Sequence, residues 1–185
     1  MDSPSKIRIV GGKWRGRKLN VINIPGLRPT QDRTRETLFN WLQGKIVGAR
    51  CLDLFSGTGA LAFEALSRGA AEVIMVESNA KIVETLNQTA EIFGSKSHQI
   101  VRDDAVIWVR NSSKVFDIIF LDPPFGHGYI EKCCQMIIEQ SSLADNGIVY
   151  IESEKNINIP PMFKINKMTQ IGQAQSILAE LNRES

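Results

Sequence analysis

The chain has 185 residues, of which 43% are apolar and 23% charged, the make-up of one globular domain with material for a full core. No apolar stretch approaches the length of a membrane span, and the N-terminus lacks the apolar centre of a signal peptide, so neither membrane insertion nor export is expected. Net charge is only +2, yet residues 1–50 hold eleven Lys or Arg against three acids, and residues 51–185 hold eleven against seventeen. A basic arm on a mildly acidic body points to a polyanionic partner. Cys51, Cys133 and Cys134 are odd in number and give no disulfide framework, which fits a reducing, cytoplasmic interior. His98 and His127 have no Cys or acidic companion at ligand spacing, so no metal is expected.

In chain order, Ile7–Val10 and Lys18–Ile22 read as two short strands joined through Gly11, Gly12 and Gly16, a basic hairpin. Trp14 stands among Lys13, Arg15, Arg17 and Lys18, where an aromatic ring can stack on bases. Pro25, Gly26 and Pro29 break the chain. Thr30 or Asp32 then caps a helix over about residues 33–42, whose Leu38, Phe39, Trp41 and Leu42 face inward. Arg28, Arg33 and Arg35 gather at its N-terminal end, where positive charge opposes the helix dipole and a bound anion would explain it. Residues 1–45 are therefore expected to form a basic hairpin-and-helix extension that contacts nucleic acid through Lys13, Trp14, Arg15, Arg17, Arg28, Thr30, Arg33 and Arg35. Residues 46–185 form the body.

The body alternates. Strands are expected at residues 49–54, 72–77, 99–101, 116–121 and 147–152, with helices at 61–68, 80–93, 105–110 and 130–140 between them. Two last strands near 163–168 and 176–181 follow one another without a helix. The fold class is thus α/β: a doubly wound, Rossmann-like sheet of seven strands, mostly parallel, with an antiparallel C-terminal edge.

Two loops carry chemistry. Between the first strand and its helix lies Asp53-Leu54-Phe55-Ser56-Gly57-Thr58-Gly59, whose glycines allow a tight turn and close approach of a ligand to backbone amides. Glu77 ends the next strand, placed to receive ribose hydroxyls. The glycines alone would also admit a dinucleotide. Asp53, however, repels a pyrophosphate and suits a cationic amino-acid group, which favours S-adenosylmethionine held by Asp53, Phe55, Ser56, Gly57, Thr58, Gly59 and Glu77. Asp104 is placed either to accept from the adenine amine or to cap the helix that follows. The second loop, Asp122-Pro123-Pro124-Phe125, directly follows the apolar run Ile118–Leu121. Its prolines end the strand and hold a carboxylate, carbonyls and a ring where open α/β sheets bind ligands. Asp122 and the Pro123 carbonyl can accept from one exocyclic amine while Phe125 stacks on the ring that bears it.

Taken with Gly11-Gly12, Arg15-Gly16-Arg17, Leu27-Arg28-Pro29-Thr30, Asp32-Arg33, Arg35-Glu36 and Leu38-Phe39-Asn40-Trp41-Leu42, these two loops resemble the class I S-adenosylmethionine-dependent methyltransferases, and among them the bacterial D-type guanine-N2 methyltransferases of 16S ribosomal RNA. The resemblance covers most of the chain, although Gly172–Leu181 lacks the tyrosines of that family. It implies methylation of one guanine N2 amine, with Asp122, Pro123, Pro124 and Phe125 as the catalytic motif. The implied partner is 16S ribosomal RNA in an assembled or partly assembled small subunit. The implied enzyme is a cytoplasmic monomer without a metal. The rival readings are an amine methyltransferase acting on DNA adenine or cytosine or on a protein glutamine, and a non-catalytic RNA-binding assembly factor.

Overall fold

The computed structural model describes residues 7–22, 31–155 and 157–182. Seven strands form one sheet: β1 (Arg50–Asp53), β2 (Glu72–Glu77), β3 (His98–Arg102), β4 (Phe116–Leu121), β5 (Leu143–Glu154), β6 (Phe163–Ile171) and β7 (Ala174–Leu181). Their order is β3-β2-β1-β4-β5-β7-β6. The first five run parallel, β7 lies antiparallel between β5 and β6, and the mixed edge is as expected. Strand order reverses between β1 and β4, which opens a crevice beyond their carboxyl ends.

Helices cover both faces. The strands at the centre are buried on both sides, so they read as unbroken apolar runs such as Val73–Val76 and Ile118–Leu121. One core layer joins Leu38 and Phe39 of α1 (Asp32–Trp41), Phe63 of α2 (Ala60–Ser67) and Leu86 and Phe93 of α3 (Ala80–Phe93) to Phe120 and Tyr150. The other packs Val109 of α4 (Ala105–Asn111) and Cys133, Cys134 and Ile137 of α5 (Tyr129–Glu139) on Ile119 and Val149. α3 shows why these segments are helical. Asn79 caps it by accepting from the Lys81 and Ile82 amides, Ile82, Leu86, Ala90 and Phe93 recur on one face, and Gly94 ends it in the left-handed region. Among the described residues no helix is long and apolar enough to cross a membrane, and no cluster of His, Cys, Asp or Glu is suited to a metal. All three cysteines are buried thiols.

The N-terminal segment corrects the sequence reading in four ways. The expected hairpin is reduced to one antiparallel bridge, Arg8 to Lys18, around a 3-10 turn at Gly12–Trp14. Trp14 does not face solvent. Its ring is 6% exposed, 4.9 Å from Phe93 in the core, because burying so large an apolar surface outweighs the polarity of its neighbours. Arg35 is fully buried too. Its guanidinium bonds Glu64 Oε2 at 3.3 Å, Asp32 Oδ1 at 2.5 Å and the Arg8 carbonyl at 2.8 Å.

Glu64, also fully buried, is the hub of this region. Its carboxylate accepts from the Val10 and Gly11 amides at 2.8 and 2.7 Å and from Arg68 Nε at 2.8 Å. A buried carboxylate is tolerated because these donors replace its water. Ile7, Ile9, Trp14 and Leu19 thereby share their core with α2 and α3. The helix start also differs: Gln31 is the N-cap, with no side-chain capping bond, and Asp32 opens α1. Thr30, Arg28 and the Pro25–Pro29 breaks lie outside the described residues.

Candidate active site

Beyond the carboxyl ends of β1, β2, β4 and β5 lies a cavity of about 580 Å³. The loop after β1 builds one side of it. The Leu54 amide donates to the Phe120 carbonyl and the Ser56 amide to the Val76 carbonyl, so the loop is pinned to both neighbouring strands. Gly59 takes φ +76°, and a Cβ there would sit 2.6–2.7 Å from Phe63 and Leu86. Only glycine lets the chain enter α2 this close to Phe63 and to Leu86 of α3.

Glu77 closes the same loop from β2. Its Oε2 accepts from the Gly57 amide at 3.1 Å and its Oε1 from the Asn79 amide at 2.8 Å. A carboxylate accepts about four hydrogen bonds, so two amides fix its orientation and leave acceptor capacity toward the cavity. Asp53 is only 1% exposed, and its Oδ1 has no hydrogen-bond partner among the described residues. Burial, with repulsion from Glu77 adding to it, pushes its carboxyl from the ordinary 3.8 up to about 7, against the opposing pull of the Phe55 and Ala62 amides. A buried acceptor left without a donor fits a cationic ligand group.

Asp104 performs the capping task. Its Oδ1 accepts from the Val106 and Ile107 amides at 2.9 and 3.0 Å. It also lines the cavity beside Asp103, so one carboxyl oxygen caps α4 while the side chain still borders the ligand space.

The second loop faces the first across the cavity. Asp122, Pro123, Pro124 and Phe125 all line it. Pro123 is buried and Phe125 half-buried. The Gly126 amide donates to Glu154 Oε1 at 3.0 Å, which ties the end of this turn to β5. Phe55 meets Tyr129 edge-on, with centroids 5.2 Å apart, so the first loop touches the start of α5 through rings.

Several lining residues have no counterpart in the sequence reading: Gln31 and Thr34 from α1, Tyr129 from α5, Glu152 from β5, and Ala174 and Ser176 from β7. Glu152 and Ser176 end up here through strand pairing, which no local spacing signals. The eight expected nucleic-acid residues separate. Lys13, Arg15, Arg17 and Arg33 are exposed, whereas Trp14 and Arg35 belong to the core. Lys13 Nζ lies 4.3 Å over the Trp14 ring, and Arg17 lies 4.7 Å over Phe93.

Comparison with known proteins follows the same outline. A family model described as conserved hypothetical protein 95 matches residues 7–180. The chain is 43% identical over 155 residues to ribosomal RNA small subunit methyltransferase D of Escherichia coli strain K12, covering 84% of this chain and 78% of that protein. It is 37% identical over 177 residues to the protein of that name from Buchnera aphidicola subsp. Acyrthosiphon pisum, covering 94% and 93%. The solved structure of yhhF from Escherichia coli superposes with a TM-score of 0.88 at 39% identity, over 96% of this chain and 98% of that one.

Proposed function

The chain is a methyltransferase of the conserved hypothetical protein 95 family, alongside the small-subunit ribosomal RNA methyltransferases D, and from that premise we propose that it methylates the exocyclic N2 amine of one guanine in small-subunit ribosomal RNA. The observation that carries this reading is that Asp122–Phe125 and the glycine loop with Glu77 open onto one cavity. Amine acceptor and methyl donor can therefore meet. S-adenosylmethionine, when bound, supplies a methyl group on a sulfonium centre. Asp53 would take its ammonium group and Glu77 its ribose hydroxyls, with Asp103 and Asp104 bordering the adenine.

A guanine N2 amine is a poor nucleophile because its lone pair is delocalised into the ring. Asp122 and the Pro123 carbonyl accept its two N–H groups, favour a pyramidal nitrogen and aim the lone pair outward. Asp122 also offsets the positive charge that grows on nitrogen, so positioning and electrostatics carry the acceleration. A stacked base cannot enter this cavity, so the nucleotide is flipped out and held against Phe125. The exposed cations Lys13, Arg15, Arg17 and Arg33 hold phosphates in residues 1–45, while residues 46–185 carry the chemistry. In this reading the enzyme works as a monomer in the cytoplasm, where small subunits are built.

Small subunits from a strain lacking the protein test the reading. Incubated with the purified protein and labelled S-adenosylmethionine, they should gain one N2-methylguanine. A parallel reaction on naked ribosomal RNA shows whether the assembled particle is the substrate. No transfer, or transfer to another atom, rejects the assignment.

Two cofactor-side outcomes follow from the geometry. Glu77→Ala should weaken S-adenosylmethionine binding, since hydrogen bonds to a charged acceptor contribute about 1.5–3 kcal/mol. Unchanged affinity by isothermal titration, with weaker RNA binding instead, would remove Glu77 from the cofactor site. Asp53 predicts a pH dependence. Its carboxyl holds a proton up to about 7 in the free protein, and a cation binds the ionised form. Affinity should therefore fall as pH drops from 8 to 6, by at most about tenfold per unit below 7. Asp53→Asn should bind weakly and without that dependence.

A further inference from the structure

Resting on the guanine reading above, we infer that Glu152 selects guanine over adenine by accepting the N1–H of the flipped base while Asp122 takes its amine. Parallel pairing aligns Phe120 with Tyr150 and Leu121 with Ile151, so Asp122 and Glu152 are the next residues on neighbouring strands. Such strands lie about 4.8 Å apart. Phe120 and Tyr150 meet edge-on in one core layer, 6.4 Å between centroids. Two residues further on, Asp122 and Glu152 return to that face, where the core ends and the cavity begins.

Glu152 is held in place. The hydroxyl of fully buried Tyr150 donates to its Oε2 at 3.1 Å and lies 3.1 Å from Ser176 Oγ, and Ser176 pairs with Glu152 across the β5–β7 ladder. Burial and the nearby carboxylates keep that hydroxyl protonated, and so donating, far above neutral pH. Two carboxylates side by side at one cavity end call for a ligand with adjacent donors. The same cavity holds the orphaned, buried Oδ1 of Asp53, a second mark of a ligand. Guanine's Watson–Crick edge presents N1–H beside the N2 amine. Adenine and cytosine each present a ring-nitrogen lone pair beside their amines, which a carboxylate repels. Asp122 and the prolines alone would accept any of these amines, so Glu152 supplies the distinction.

The test uses the full chain and small subunits reconstituted with rRNA carrying either guanine or 1-methylguanine at the position the wild-type protein methylates. Glu152→Ala, which removes the acceptor, should lower kcat/KM on the guanine particles roughly 10- to 150-fold, the range for loss of a charged hydrogen bond. Its S-adenosylmethionine Kd should stay within about twofold of wild type. Blocking N1 should reduce wild type by a similar factor yet reduce Glu152→Ala, which has no acceptor there and room for the methyl group, no further. Tyr150→Phe, which keeps the carboxylate and frees it to move, should fall between. Wild-type activity insensitive to the N1 methyl group overturns the inference without any variant. So does a Glu152→Ala protein that transfers methyl groups like wild type, or losses that multiply independently. If wild type methylates no guanine N2, the proposed function fails, and the inference with it, on the wild-type reaction alone.

Discussion

Asp122→Ala is expected to bind S-adenosylmethionine like the wild-type protein yet transfer its methyl group roughly a hundred- to a thousandfold more slowly, the cost of removing one preorganised electrostatic contact from a transition state. Asp122 lines the cavity from the end of β4, whereas the cofactor contacts proposed for Asp53 and Glu77 come from the ends of β1 and β2. Binding and chemistry should therefore separate. The Pro123 carbonyl remains as one acceptor, so activity should not fall to zero. Asp122→Asn keeps an acceptor but no charge, and its place between wild type and Ala apportions the effect between hydrogen bonding and electrostatics. Single-turnover transfer beside isothermal titration reads both quantities. Turnover of the Ala variant within about tenfold of wild type, roughly 1.4 kcal/mol of barrier, would remove Asp122 from the chemistry.

The largest loss of stability should come from Arg35→Ala. Glu64 is fully buried, and Arg35 is one of two cations that neutralise it. Removing one partner of such a pair costs about 3–5 kcal/mol, because the remaining charge is left short of compensation. Against a typical margin of about 5–15 kcal/mol, that is enough to loosen the N-terminal segment or the whole fold. Urea denaturation followed by circular dichroism measures it. Arg33 sits two residues away and is exposed, so Arg33→Ala should shift stability by under about 0.5 kcal/mol. It should still flatten the log–log salt dependence of RNA binding by roughly 0.7–0.9 if it contacts a phosphate. The two arginines look alike in sequence and answer to different forces. A stable Arg35→Ala protein would mean that water or another cation reaches Glu64.

That contrast shows where sequence is informative and where it is not. The sheet was readable because its central strands are buried on both faces, so Glu72–Glu77 and Phe116–Leu121 announce themselves as apolar runs at the observed bounds. The glycine loop and Asp122–Phe125 were readable because turn chemistry is local. Trp14 and Arg35 were misread for the opposite reason. Their neighbours are basic, and what buries them, Phe93 and Glu64, lies far along the chain. Asp104 presented two uses, and its capping bonds are there, in a residue that also borders the cavity. Glu152 was not singled out, since what sets it beside Asp122 is the register of β5 on β4, which no local spacing signals.

That insertion also sets a timetable. Translation delivers β6 before β7, yet β6 pairs only with β7. A nascent chain that has reached residue 171 thus has a β5 edge with no strand beside it and a β6 with nothing to join. Ala174 and Ser176, which line the cavity, are still to come. The cavity is therefore unfinished while β1 to β6 have already been synthesised, and the open β5 edge is the surface most exposed to mispairing during that interval. Once β7 arrives, the outermost edge becomes β6, where exposed Lys164 and Lys167 discourage another strand from adding. A member of a family of ribosomal RNA methyltransferases thus completes this cavity only after β6 has left the ribosome that makes it.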